Sequence, residues 1–170
     1  MDPIFLVFAL LFFPGLIAFA GAMDLFTMTI PNRISICLVA GFLIYAPMTG
    51  LSLYDIGLHI ACGILILALT VGMFELGWMG GGDAKILSAI SLWFGFTHLG
   101  SFLMLVCILG GLLTLALLMF RKFPLPGAWV RQAWLNRLHH PKTGIPYGIS
   151  IAAGALIVYP STQWVLGPIA

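Results

Sequence analysis

The chain has 170 residues, of which 62% are apolar and only 7% are charged. Soluble domains carry roughly 25% charged residues, and a core of this size cannot bury so many apolar side chains, so an ordinary water-soluble domain is excluded. The formal charge of +2 says little by itself, because the placement of Lys and Arg sets the orientation of a membrane protein. We expect an all-α polytopic membrane protein that forms a single integral domain over residues 1–170.

Apolar runs between turn and charge signals predict six membrane spans. They cover residues 3–23, 34–51, 56–74, 84–98, 101–120 and 145–167, with a brief break near residues 97–100. If the amino terminus lies outside, all seven Lys and Arg residues fall on the cytoplasmic side. The sequence therefore predicts an N-out, C-out protein. A signal peptide cleaved near residues 20–22 is the less favoured alternative, because no basic residue precedes the first apolar run.

The segment 121–144 is the longest polar stretch and carries five of the seven basic residues. Within it, Val130, Trp134 and Leu138 recur at helical spacing, which indicates a short interfacial helix in a basic cytoplasmic loop. The cysteines and histidines of the chain show no spacing typical of a disulfide framework or a metal site. We therefore expect no metal and no cofactor.

The five acidic residues each need an explanation, because a carboxylate within a bilayer is costly. Asp2 is terminal. Asp55 follows Ser52 at the start of the third predicted span, where we expect a helix cap, with His59 one turn further on as a partner. Glu75 either belongs to a site or extends into the lipid headgroups.

Asp24 and Asp83 both fall at the cytoplasmic boundary under this topology. The run IPN at residues 30–32 follows Asp24, and its proline ends one element before another begins. Asp83 closes the run GGGD at residues 80–83, where the lack of side chains lets another chain approach. Each acid alone is explained as a helix cap.

Together, the two acids suggest an aspartyl protease, because two carboxylates that share a site hold one proton between them near neutral pH. The ionised acid would take a proton from an attacking water, while the protonated acid would polarise the peptide carbonyl. This hypothesis requires the two side chains to meet in space.

Three blocks of the sequence resemble the type IV prepilin peptidase family, membrane aspartyl proteases with a GxGD element. The first is Asp24 with IPN at 30–32, the second is GGGDAKILSA at 80–89, and the third is IPYGISIAAG at 145–154. Their order and the apolar helices between them also fit, so the resemblance extends over about residues 15–160. The GGGDAK run is its most specific part, since a bare GxGD is a weak signal.

The resemblance implies that Asp24 and Asp83 are the catalytic pair. It also implies supporting positions, which are Gly80, Gly81, Gly82, Lys85, Pro31, Asn32, Pro146 and Gly148. The implied substrates are prepilins or pilin-like precursors, whose short cytoplasmic leader is cut off at the membrane face, typically after a glycine. Membrane lipid is the other expected partner, nucleic acid is not expected, and the oligomeric state is left open.

Two departures from the family pattern bear on substrate and activity. Residues 25–29 are apolar, where family members often carry basic residues. The amino-terminal region with paired CxxC motifs, which accompanies a methyltransferase activity in larger members, is missing. The chain thus resembles the short, peptidase-only form of Flp (tight adherence) pili in the bacterial inner membrane, and we expect no methyltransferase activity. The alternative is a non-catalytic structural or transport subunit of a pilus or secretion machine, in which the acids cap helices or line an ion path.

Overall fold

A computed structural model describes residues 3–124, 129 and 131–166. The main helices are α1 (Pro3–Thr27), α2 (Asn32–Met48), α3 (Leu53–Glu75), α4 (Gly81–Phe120), α5 (Ala133–His139) and α6 (Tyr147–Val158). A 3₁₀ turn (Tyr159–Ser161) then leads into the short α7 (Gln163–Leu166). These described residues contain no strand, which confirms the all-α class.

Four helical segments are long and apolar enough to cross a membrane, as judged by length and composition among the described residues. They are Val7–Thr27, Leu53–Glu75, Gly81–Phe120 and Tyr147–Leu166. The helix α2 is also apolar but shorter, at 17 residues. The chain is therefore built as a multi-pass membrane protein.

The helix α4 is where structure and sequence prediction differ most. If straight, its 40 residues would extend about 60 Å, twice the thickness of the hydrocarbon core. At Gly95, however, φ is 58° and ψ is −174°, a conformation that is essentially restricted to glycine. The rings of Phe94 and Phe102 lie 5.0 Å apart across this point. The break predicted near residues 97–100 lies two residues earlier, at Gly95, and residues 97–100 themselves are helical.

Contacts along α4 show that its two halves run in opposite directions. The first half packs along α3, where Ser88 donates a hydrogen bond to the Gly63 carbonyl at 2.8 Å. It ends at Trp93, whose carbonyl accepts from the indole of Trp164 at 2.6 Å. The second half returns to the start of α6, where Thr114 Oγ1 lies 3.1 Å from the Tyr147 hydroxyl. Although α4 is assigned as one helix from its hydrogen bonds, its two halves form a helical hairpin.

Buried aromatic side chains fill the core at the end of the bundle near Gly95. We call this group the aromatic cluster; it comprises Phe13, Phe42, Tyr45, Trp93, Tyr159 and Trp164. Its polar atoms are also satisfied: Trp93 donates to the Leu38 carbonyl at 2.9 Å, and the Tyr159 hydroxyl donates to the Ala9 carbonyl at 2.9 Å. The cluster ties α1, α2, α4, the 3₁₀ turn and α7 together.

The helix expected within residues 121–144 is present as α5, although Val130 lies outside the described residues. Leu138 is buried, and the ring of Trp134 packs edge-on against Phe26 at 5.4 Å between centroids. Arg121 holds the segment by donating hydrogen bonds to the carbonyls of Leu138, Thr143 and Gly144. This helix therefore sits beside the last turn of α1.

Candidate active site

Asp24 lies in the last turn of α1, because the helix continues to Thr27 and does not end at the predicted residue 23. Only 6% of its surface is exposed, and its Oδ2 accepts a hydrogen bond of 2.7 Å from the backbone N–H of Gly148. A buried carboxylate needs such a donor. The start of α6 supplies it.

Gly148 is at this position because nothing larger fits. A Cβ there would lie 2.7 Å from Asp24 Oδ2 and 2.8 Å from Ile30 Cδ1. The absent side chain lets the first turn of α6 approach the carboxylate directly. This contact joins the first and third sequence blocks.

Asp83 lies in the first turn of α4, and its side chain is partly exposed. The N-cap of that helix is Gly80, which makes no side-chain cap, and the N-cap of α2 is Pro31. Neither aspartate is therefore the N-cap residue of a helix. The local interpretation of the two acids as helix caps is wrong.

Asp24 and Asp83 line the same cavity, which has a volume of about 240 Å³. The lining residues are Asp24, Met28, Thr29, Ile30, Gly80, Gly81, Gly82 and Asp83. Gly82 packs against Ile30, since a Cβ on Gly82 would lie 3.2 Å from Ile30 Cβ. The two aspartates that the sequence singles out thus face the same cavity.

A family model described as the type IV leader peptidase family (Peptidase_A24) matches residues 10–115, more than half of the chain. The chain belongs to the type IV leader peptidase family. The matched stretch contains both aspartates and the GGGDAK run, and it ends before the third block at 145–154. Comparisons with curated proteins and with solved structures found no match. Membership makes the protein a membrane peptidase and confirms the resemblance drawn from the sequence.

The supporting residues of this leader peptidase connect the blocks around the cavity. Lys85 Nζ donates a hydrogen bond of 3.0 Å to Asn32 Oδ1, which links the second block to the first. Pro31 is the N-cap of α2, with φ of −62° as proline requires. Pro146, which is buried, is the N-cap of α6. These residues fix where α2 and α6 begin beside the aspartates.

Met28 is a cavity residue of the peptidase that the sequence analysis did not single out. Met28 has φ of 56°, the only positive φ of a non-glycine residue in the described chain, and its N–H bonds the Asp24 carbonyl at 2.8 Å. This conformation ends α1 and turns Thr29 and Ile30 into the cavity wall. Nothing in a stretch of apolar residues signals a left-handed methionine, since glycine or asparagine usually occupies such a position.

The other acidic side chains of the peptidase lie elsewhere. Ser52 is the N-cap of α3, and its Oγ accepts from the Asp55 N–H at 3.1 Å and donates to Asp55 Oδ2 at 2.6 Å. His59 hydrogen-bonds the Leu92 carbonyl and Gln163, and not Asp55. Glu75 ends α3, is exposed, and does not line the cavity. Within the described part of the chain, no group of His, Cys, Asp and Glu is arranged to hold a metal ion.

Proposed function

We propose that the protein is a membrane aspartyl endopeptidase that removes the leader of Flp-like type IV prepilins at the cytoplasmic membrane face. The observation that carries this proposal is the placement of Asp24 and Asp83 on one cavity, in a chain of the leader peptidase family. In this proposal these two residues are catalytic, and the glycine run at 80–82 and Gly148 shape the space around them.

The chemistry uses one proton shared by two acids. The ionised carboxylate removes a proton from water as the water oxygen attacks the scissile carbonyl carbon. The protonated carboxyl donates to the carbonyl oxygen and stabilises the tetrahedral intermediate. When the C–N bond breaks, a proton passes to the leaving nitrogen, which becomes the new amino terminus of the pilin. The second product is the leader with a free carboxylate.

The glycines of the cavity suit a substrate that is cut after glycine. Gly80 is exposed, and a Cβ on it would lie 3.1 Å from Asp83 Oδ2. A peptide backbone can therefore approach this carboxylate without meeting a side chain. A glycine at the scissile position likewise leaves no substrate side chain in the way of this approach.

The proposal includes six crossings with both termini outside. The turn at Gly95 divides α4 into two antiparallel halves, and α2 contributes a further apolar helix. Placing the aspartates on the cytoplasmic side puts all seven basic residues on that side as well. The leader of a prepilin would reach the cavity from the same compartment.

The test is leader cleavage in cells that co-express the protein and a pilin precursor, followed as a mobility shift. We expect Asp24→Asn and Asp83→Asn each to lower cleavage by at least about 100-fold, since general acid–base catalysis contributes about 10²–10⁴-fold. Asp55→Asn is the matched control, because it removes a carboxylate in the first turn of α3 that lies outside the cavity. Immunoblots of membranes check that each variant accumulates.

An accumulated Asn variant of either cavity aspartate that cleaves at the wild-type rate would remove that residue from the mechanism. If the wild-type protein accumulates and cleaves no pilin precursor of its own genome, the structural-subunit alternative replaces the enzyme.

A further inference from the structure

A groove opens between α2 and α3, which touch each other only sparsely while each packs against α4. Two adjoining cavities of about 490 Å³ and 280 Å³ form it. The residues common to both are Val39, Leu43, Leu67, Ser88 and Ala89. We call this feature the α2–α3 groove; the first half of α4 is its floor.

Small residues line the groove on all three helices, and most of its other lining residues are apolar. Ser88 and Ala89 lie on α4, Gly63 on α3 and Ala40 on α2. In a membrane, small residues at a surface let the backbone of another helix approach closely. The α2–α3 groove therefore fits a transmembrane helix better than a flat surface that faces lipid would.

Two buried serines of the described chain have a hydroxyl without a hydrogen-bond partner, Ser35 and Ser150, and Ser35 is the one that lines the groove. Ser35 is only 8% exposed. Ser88, by contrast, is bonded to the Gly63 carbonyl. A buried hydroxyl without a partner costs free energy, which a polar atom of an occupant that reaches Ser35 Oγ would offset.

The groove begins within two residues of the cavity that Asp24 and Asp83 line, on both α4 and the connection before α2. Asn32 and Lys85 line its first part, and each lies two residues beyond a residue of the cavity, Ile30 and Asp83 respectively. From Asn32 to Leu43 the groove follows α2 for about 16 Å, at 1.5 Å per residue. A chain cut between the aspartates could continue directly into it as a helix of about three turns.

We propose that the α2–α3 groove binds the apolar helix of the precursor, the segment that directly follows the scissile bond. This inference rests on the proposed function and adds the site that recognises the membrane-embedded part of the substrate. Binding there would set the distance between the membrane and the scissile peptide, so that the bond reaches the aspartates in register. The Lys85–Asn32 pair would mark the point where the helix leaves the groove for the cavity.

Photo-crosslinking tests the occupant directly. Leu43→p-benzoylphenylalanine places the probe in the groove at a side chain that is 52% exposed. Leu112→p-benzoylphenylalanine is the matched control, since Leu112 is 58% exposed on the second half of α4 and outside the groove. Both are made in the Asp83→Asn background and irradiated in membranes that hold a tagged pilin precursor. We expect at least ten times more precursor adduct from Leu43, mapped by mass spectrometry to the apolar helix.

A blocking substitution gives a second measurement in the active enzyme. Ala40→Trp fills the groove from an exposed position, whereas Ala116→Trp adds the same side chain to an exposed position on α4. We expect precursor cleavage to fall at least tenfold for Ala40→Trp and to stay unchanged for Ala116→Trp, with equal accumulation of both variants.

The outcomes separate the two proposals. If wild type cleaves the precursor while Leu43 yields only lipid adducts or no more precursor adduct than Leu112, the groove holds lipid and the inference is overturned, while the proposed function stands. Normal cleavage by Ala40→Trp would have the same meaning. If wild type cleaves no precursor, both proposals fail together.

Discussion

At the end of the bundle that holds Asp24 and Asp83, the contacts are few, backbone-mediated and arranged around an open cavity. Some ten residues further along α4, about 15 Å at 1.5 Å per residue, Trp93 lies in the fully buried aromatic cluster. Glycine and one backbone N–H build the first region, whereas interlocking rings build the second. The two regions share helices α1 and α4 but not their packing.

From this difference we expect the aromatic cluster to carry stability and the cavity of Asp24 and Asp83 to carry the proposed chemistry. A site for water and a peptide must keep space and polar atoms, both of which a membrane protein core excludes. The aromatic cluster can hold the helices in place without contacting the substrate. Substitutions in the two regions should therefore separate loss of fold from loss of cleavage.

The largest effect on stability is expected for Trp93→Ala. The change removes a buried ring that contacts Phe13, Tyr45 and Trp164, together with the hydrogen bond to the Leu38 carbonyl. Truncating a buried Trp or Phe to Ala costs about 3 to 5 kcal/mol. We expect a clearly lower unfolding temperature in detergent and reduced accumulation in membranes.

Asp83→Asn is the comparison for that measurement, because it alters the cavity and leaves the aromatic cluster intact. It should unfold at the wild-type temperature while losing cleavage. Equal unfolding temperatures for Trp93→Ala and wild type would show that the aromatic cluster does not hold the bundle together.

Gly148→Ala should weaken cleavage more than stability. The new Cβ would meet Asp24 Oδ2 at 2.7 Å and Asp24 Cβ at 2.9 Å, so α6 or the carboxylate must move. A displacement of about 1 Å at reacting groups costs about 100-fold in rate, and we expect a loss of that order in single-turnover cleavage. Gly111→Ala is the helical control, since no atom lies within 4 Å of its added Cβ.

A wild-type cleavage rate for Gly148→Ala would mean that the close approach of α6 does not position Asp24. A similar loss for Gly111→Ala would instead point to a general effect of replacing glycine within these helices.

Composition was enough to predict the helical class, and the placement of apolar runs gave helices close to the observed ones. The exceptions are local. The turn in α4 was expected at residues 97–100, where the sequence is polar, but it occurs at Gly95 between two apolar aromatic residues. The signal there is conformational rather than compositional, because only glycine takes the required φ and ψ without strain.

Only the part of the site that depends on residue type could be predicted from the sequence. Asp24 and Asp83 stand out because charged residues are rare in this chain, and the GGGD run marks a place of close approach. Their partners are less visible: Gly148 acts through its backbone N–H, 124 residues away, and Met28 through an unusual φ. Residue type does not encode either interaction, so sequence reasoning reached the acids but not the geometry that holds them.

The smallest effect is expected for the loss of the N-cap of α3, which lies far from the aspartates. Ser52→Ala removes the acceptor for the Asp55 N–H and the donor to Asp55 Oδ2, which leaves the first turn of α3 uncapped. Loss of an N-cap costs about 1 kcal/mol, so the unfolding temperature should fall by a few degrees while cleavage stays at the wild-type rate. Ser101→Ala, at an exposed position inside α4, is the control and should change neither. If Ser52→Ala lost cleavage while it accumulated normally, the start of α3 would influence the cavity that Asp24 and Asp83 line. That result would contradict the separation of the two regions.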